Sequence, residues 1–315
     1  MRNNKLIVGL SCALIAMILV GIQPIIAVGR NDAIDPYFFA TITCFYQAII
    51  FFPITLIHRR KLKKQLKKDP NNYHINYSLL YDWKKKKNLQ FLLYIGISFS
   101  ISQILFYQGL DIAGAINGAL SQKTTILFGL VFGYLINQEK VSFKQIIFSN
   151  ILLVGVIIAT TQGQFNILEF NLGVVLLIFT AMLWMLAHSF TKPVLNGNQI
   201  TSSQLVLSRN FLNGIILLIV YLAFFPLENL KLFLNPYNQF FFSAMAITYG
   251  LNLLCWYTCL KYLDVSKATT IMAPTPIITA IFSTIILGEI FTIYHLIGMI
   301  IIVLSIFVIV KEKRI

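Results

Sequence analysis

Charge is scarce in this chain, and acid scarcer still. Only 11% of the 315 residues are charged, and 11 Asp and Glu stand against 25 Lys and Arg. Disorder needs high charge and low hydrophobicity, so a 57% apolar composition excludes it. A mean hydropathy of +0.77 excludes a water-soluble globule as well. Cysteines number four and all fall inside apolar runs, as Cys12, Cys44, Cys255 and Cys259, too sparse for a disulfide scaffold. Cys255 and Cys259 share a helical face, but no second pair or neighbouring His completes a zinc set. Neither a metal nor a cofactor is expected. The chain also lacks a HExxH motif and a mid-span acid pair, and His58, His74 and His295 fall at the periphery of the apolar runs, so no enzyme is expected. Met1 to Lys5 leads into an apolar stretch with no small-x-small site, so a cleavable signal is not expected.

What the chain has is long apolar runs. A helix needs about 20 residues to cross the hydrocarbon. Ten such runs stand between polar breaks, at 6–27, 37–57, 89–110, 114–136, 143–160, 172–191, 203–225, 240–262, 268–287 and 295–310. The reading is an all-α polytopic membrane protein with ten transmembrane helices. Ten spans put both termini on one side. With that side cytoplasmic, 21 of the Lys and Arg lie inside, and only Arg30 and Lys231 outside. Basic residues mark the cytoplasmic face, so a multi-pass protein of the plasma membrane with both termini cytoplasmic is expected. Eleven of the basic residues crowd into 58–88; they suit anchorage on anionic lipid of the bilayer, and Trp83 beside them suits a stretch lying at the interface. Without a fold to present them to a groove, no nucleic-acid partner is expected.

Sliding the chain on itself by 150 places brings Phe106-Tyr107 onto Trp256-Tyr257, Leu110 onto Leu260 and Glu139 onto Glu289, and keeps 113–149 opposite 263–299 without a gap. Upstream, a shift of about 165 brings Ala16 onto Ala181 and Tyr46 onto Phe211. Two five-span repeats follow, 1–161 and 162–315. Five is odd, so the second enters the bilayer inverted, with Glu139 cytoplasmic and Glu289 external. Inverted halves that exchange conformations open a central site first to one side and then to the other, as an alternating-access carrier does.

The turn Asp111-Ile112-Ala113-Gly114 before a helix, Ala273-Pro274-Thr275-Pro276 before an apolar segment, Leu287-Gly288-Glu289 at its end and Gly298 in the last span together resemble the drug/metabolite transporter superfamily, EamA type. In the first half Asn137-Gln138-Glu139 replaces Leu-Gly-Glu, and Thr124 stands where the second has Pro274. The resemblance implies a carrier for a small polar organic metabolite such as an amino acid, sugar derivative or organic anion. A channel or lipid translocator of the same fold is the alternative, and a monomer and a homodimer both remain open.

Lys123 lies nine residues into the fourth run, about 14 Å along its helix at 1.5 Å per residue. A cation at that depth costs about 2.5–3.5 kcal/mol on insertion scales, so it should face the protein's interior, a wet cavity or a counter-charge, and three readings stand: a site for an anionic group of the substrate, a lysine held by carbonyls near a broken helix or left neutral, or a gating ion pair. Arg209 has two readings, headgroup contact or a cavity role with Asn213. Trp184 and His188 are one turn apart and serve either packing or substrate and proton handling. Gln23 falls opposite His188 at the 165 shift. Tyr249, Asn252, Trp256 and Cys259 form one stripe; Ser100, Gln103 and Tyr107 form another. Polar stripes in hydrocarbon turn inward, as cavity wall or as interhelical contact. No acid sits at mid-membrane, which disfavours carboxylate-based proton coupling.

Overall fold

The computed structural model describes residues 2–68, 73–138, 140–163, 171–262, 272 and 274–311. All regular structure among them is helical: α1 (Arg2–Val28), α2 (Pro36–Lys68), α3 (Tyr73–Tyr81), α4 (Lys86–Ser121), α5 (Thr125–Asn137), α6 (Phe143–Thr160), α7 (Leu172–Asn196), α8 (Ser202–Phe224), α9 (Pro236–Tyr262), α10 (Thr275–Leu287) and α11 (Ile293–Lys311), joined in places by 3₁₀ turns. Seven described stretches are long and apolar enough to cross a membrane, and α10 and 293–309 are shorter apolar helices. One of the seven runs from Lys86 to Asn137 and carries the third and fourth expected spans together. Glu139, 268–271 and Ala273 lie outside the described residues.

Local chemistry sets the helix ends. Asp35 accepts from the Phe38 amide at 2.8 Å ahead of Pro36, whose missing N–H costs nothing in a first turn. Ser142 and Gln145 form a reciprocal capping box on α6. Thr201 accepts from the Gln204 amide at the start of α8. At the other ends, α5 stops on Gln138 (φ 55°) and α10 on Gly288 (φ 70°), both left-handed. Gln138 therefore adopts at its repeat position the conformation that Gly288 adopts without a Cβ penalty.

The principal packing partners are α1 with α9, α4 with α7, α2 with α8 and α6 with α11, each joining a helix of 1–161 to one of 162–315. Exchanging equivalent spans turns the α1–α9 pair into α7–α4 and the α1–α10 pair into α7–α5, both of which are present. Where α6 crosses α11, Gly155 and Gly298 meet so closely that a Cβ on Gly298 would stand 2.5 Å from the Gly155 oxygen.

One expectation is corrected by this packing. The segment 58–88, expected as a loop with an interfacial stretch, is folded: α2 continues to Lys68, α3 returns, and Leu62, Leu66, Leu79 and Leu80 cluster between them. Arg59 ties this layer to α8, donating to Gln204 Oε1 and to the Leu80 oxygen, each at 3.0 Å. Arg30 lies in the loop between α1 and α2 and is buried there, because it finds Asp111 on α4 through two bonds of 2.7 and 2.5 Å. His295, in the first turn of α11, is also buried, with its Nε2 3.1 Å from Asn117 Oδ1.

Inside α4 the backbone leaves helical geometry at Gly114 (φ 79°, ψ 171°), a region favouring glycine. The chain turns there and a new helix starts, and the Glu289 carboxylate accepts from its first amides, Ala115 at 2.6 Å and Ile116 at 3.0 Å. An acid from 162–315 thus caps a helix of 1–161, where amide donors and the helix dipole favour negative charge.

Candidate functional site

Between the Gly114 turn and the basic layer, the fourth span breaks a second time. Ser121 bonds back to the Asn117 oxygen at 2.7 Å and Thr124 to the Ser121 oxygen at 2.8 Å. Hydroxyls that compete for helical carbonyls loosen a helix. Gln122–Thr124 form a 3₁₀ turn between α4 and α5, and Lys123 sits on it. Its side chain is buried and donates to the Met272 oxygen at 3.0 Å, just ahead of α10. At the 150 shift Met272 is the counterpart of Gln122, so corresponding positions of the two halves approach each other here.

Lys123 faces a cavity of about 120 Å³. Gln23 from α1, Phe99 from α4, Trp184 and His188 from α7, Arg209 from α8, and Tyr249, Asn252 and Trp256 from α9 complete much of its wall. Eight of the ten residues singled out from the sequence meet there. The other two do not: Gln103 and Tyr107 are fully buried in packing, with Gln103 Nε2 donating to the Tyr107 hydroxyl at 3.2 Å and the Cys44 thiol lying against Gln103 Oε1. Cys259 likewise leaves the α9 stripe and packs against Ala13. Phe99, Gln122, Met185 and Met272 line the cavity without having been picked out.

Arg209 is the most enclosed charge. Of its two readings, headgroup contact is excluded, because the side chain is fully buried. It donates to the hydroxyls of Tyr257 at 3.2 Å and Tyr249 at 3.0 Å, and its guanidinium lies 3.4 Å from the Phe99 ring centroid. Two phenols and an aromatic face substitute for water around a cation. Tyr257 is the partner that sequence reasoning missed. The one available signal was its place opposite Tyr107 at the 150 shift.

A second, smaller cavity lies against the first and shares Met185, His188 and Trp256 with it. Its other lining residues include Asn137 at the end of α5 and Lys192 near the end of α7, so the pair of cavities extends from Lys123 toward the basic layer. At the opposite end stand the Arg30–Asp111 bridge and the Glu289 cap. Among the described residues, no group of His, Cys, Asp and Glu could hold a metal ion.

The profile of the EamA-like transporter family matches residues 7–161 and again 171–311. The chain belongs to this family. The two matches fall one on each side of residues 162–170. An uncharacterized transporter from Methanothermobacter thermautotrophicus is 25% identical over 228 residues, which span 71% of this chain and 65% of that relative. The match thus covers somewhat less than two thirds of the relative's length. A solved crystal structure of a protein superimposes with a TM-score of 0.66 over 98% of this chain and 96% of that one, and at 12% identity it shows the shared fold alone. Family and relative are transporters, not enzymes.

Proposed function

We propose that this transporter is an alternating-access carrier for a small polar organic metabolite, bound in the cavity around Lys123. One observation carries the reading: a chamber lined by two buried cations lies where the corresponding positions Gln122 and Met272 of the two halves meet, and a shift of one half against the other would reshape it. The exchange of packing pairs between 1–161 and 162–315 supports two inverted repeats divided at 161. The chamber's extension toward Lys192 supports access from the basic end, with Arg30–Asp111 and Glu289 as the closed external gate. In this reading both termini and the layer 58–88 are cytoplasmic, the layer rests on anionic lipid, and the membrane is the plasma membrane.

Reconstitution in proteoliposomes tests the proposal. A carrier saturates and shows counterflow, in which solute on one side accelerates labelled solute from the other, and Lys123→Ala removes both while the protein still folds. Conduction without saturation would make it a channel. Transfer of labelled phospholipid, indifferent to water-soluble competitors, would make it a lipid translocator.

A further inference from the structure

The described cavity wall is one-sided in its charge, with Lys123 and Arg209 and no described acid. Lys123 carries three N–H donors and uses one on the Met272 oxygen, leaving two. Gln23 Nε2, Gln122 Nε2, Trp184 Nε1, Trp256 Nε1 and Arg209 Nε are buried donors without a partner among the described residues. On the accepting side stand Asn252 Oδ1, the His188 ring nitrogen Nδ1, whose role depends on its tautomer, and the side-chain oxygens of Gln23 and Gln122. No described residue of the wall is acidic. Aromatic faces could receive an ammonium group, but Arg209 already stands over Phe99, 3.4 Å from its centroid, and over Tyr249 at 5.6 Å. A solute ammonium here would meet two cations at short range in a medium of low dielectric.

Resting on the carrier reading above, we infer that the solute is an organic anion without an ammonium group, its negatively charged oxygens held by the free protons of Lys123. The chamber's 120 Å³ is close to the roughly 150 Å³ of a cavity that admits one benzene ring. Small mono- and dicarboxylates fit that size. Amino acids of the same skeleton are excluded by their amino group rather than by bulk. Arg209, its terminal nitrogens committed to Tyr249 and Tyr257, contributes field more than contact.

Thermal unfolding of the purified protein in detergent tests this, with pairs that differ by one amino group: succinate and aspartate, glutarate and glutamate, 3-phenylpropionate and phenylalanine, with phenethylamine as the pure cation. A ligand that binds only the folded form raises Tm by mass action. At least one acid is expected to raise Tm, with its amino acid needing about tenfold more for the same shift, a difference of about 1.4 kcal/mol, and phenethylamine giving none. Lys123→Met should abolish the acid's shift. Asn252→Asp, which adds an acid to the wall, should narrow or reverse the preference. The inference is overturned if an amino acid or phenethylamine equals its partner acid, if no acid of the panel raises Tm, or if the acid's shift persists unchanged in Lys123→Met. Counterflow separates the two claims: an acid that binds but shows none upholds the solute class and sinks the carrier, while an amino acid that shows counterflow upholds the carrier and sinks the solute class.

Discussion

Replacing Glu289 with alanine removes the cap that one half of the chain places on the other. Its carboxylate accepts two amide bonds, from Ala115 at 2.6 Å and Ile116 at 3.0 Å. A hydrogen bond to a charged group contributes about 1.5–3 kcal/mol, and a charge at a helix N-terminus a further 0.3–1 kcal/mol or so. Glu289 is only half-buried, so water replaces part of what is lost. Taking the low end gives about 2–3 kcal/mol for the pair, or roughly a 30- to 100-fold change in an equilibrium constant at 1.4 kcal/mol per decade. Equilibrium unfolding in mixed micelles with rising SDS should show Glu289→Ala weakened by that amount. Glu289→Gln, which keeps one neutral acceptor, should fall between it and the native chain. Hydrogen exchange supplies the local reading, since the Ala115 and Ile116 amides should exchange faster in Glu289→Ala while amides of α6 do not. An unfolding midpoint and exchange rates indistinguishable from the native protein's would refute the cap as a stabilising contact.

Gly114→Ala should be as damaging, because a Cβ at φ 79° would stand 2.9 Å from Glu289 Oε1; the unfolding midpoint measures it. Gln138→Gly should stabilise by about 1 kcal/mol in the same assay, by relieving a left-handed residue at the end of α5. Arg209→Lys should lose both the phenol bonds and the stacking on Phe99, since an ammonium cannot reproduce a planar fork; a substantial loss of stability is expected even with charge conserved. In the basic layer, burial alone would raise the Asp82 carboxyl, but bonds from Lys85 and Ser78 and the Lys85 charge outweigh it and hold it below its ordinary 3.8. Its contribution is therefore full above that value and is lost as pH falls through the lowered one. Trp83 fluorescence in a Trp184→Phe, Trp256→Phe background should report that transition, and Asp82→Asn should abolish it.

The spans and the polar wall were legible because hydrophobicity and helical period are local properties. Tyr249, Asn252 and Trp256 recur on one side of α9, and all three line the cavity. Lys123 was legible through cost, since a cation nine residues into an apolar run needs a polar place. Contacts whose partner lies far along the chain left no such trace. Arg209 is one apolar-run cation among others until Tyr249 and Tyr257 are brought to it from another helix, and Gln103 and Tyr107 keep an inward period whether they face a cavity or each other. Cys259 shows the limit of the stripe, for ten residues along α9 the same face has turned from the cavity to Ala13 on α1. Arg30 is a loop charge, but its burial left no trace because its partner, Asp111, is 81 residues away.

The preference of α1 for α9, α4 for α7 and α6 for α11 bears on how the protein is made. As the ribosome delivers helices in order, α1, α4 and α6 enter the bilayer before these neighbours exist, and Ala115 and Ile116 wait for an acid 174 and 173 residues downstream. The early intermediate is a loose set of segments that cannot mature alone. If the gene is divided within 162–170, each product expressed singly should be degraded, and the two produced together should rescue one another.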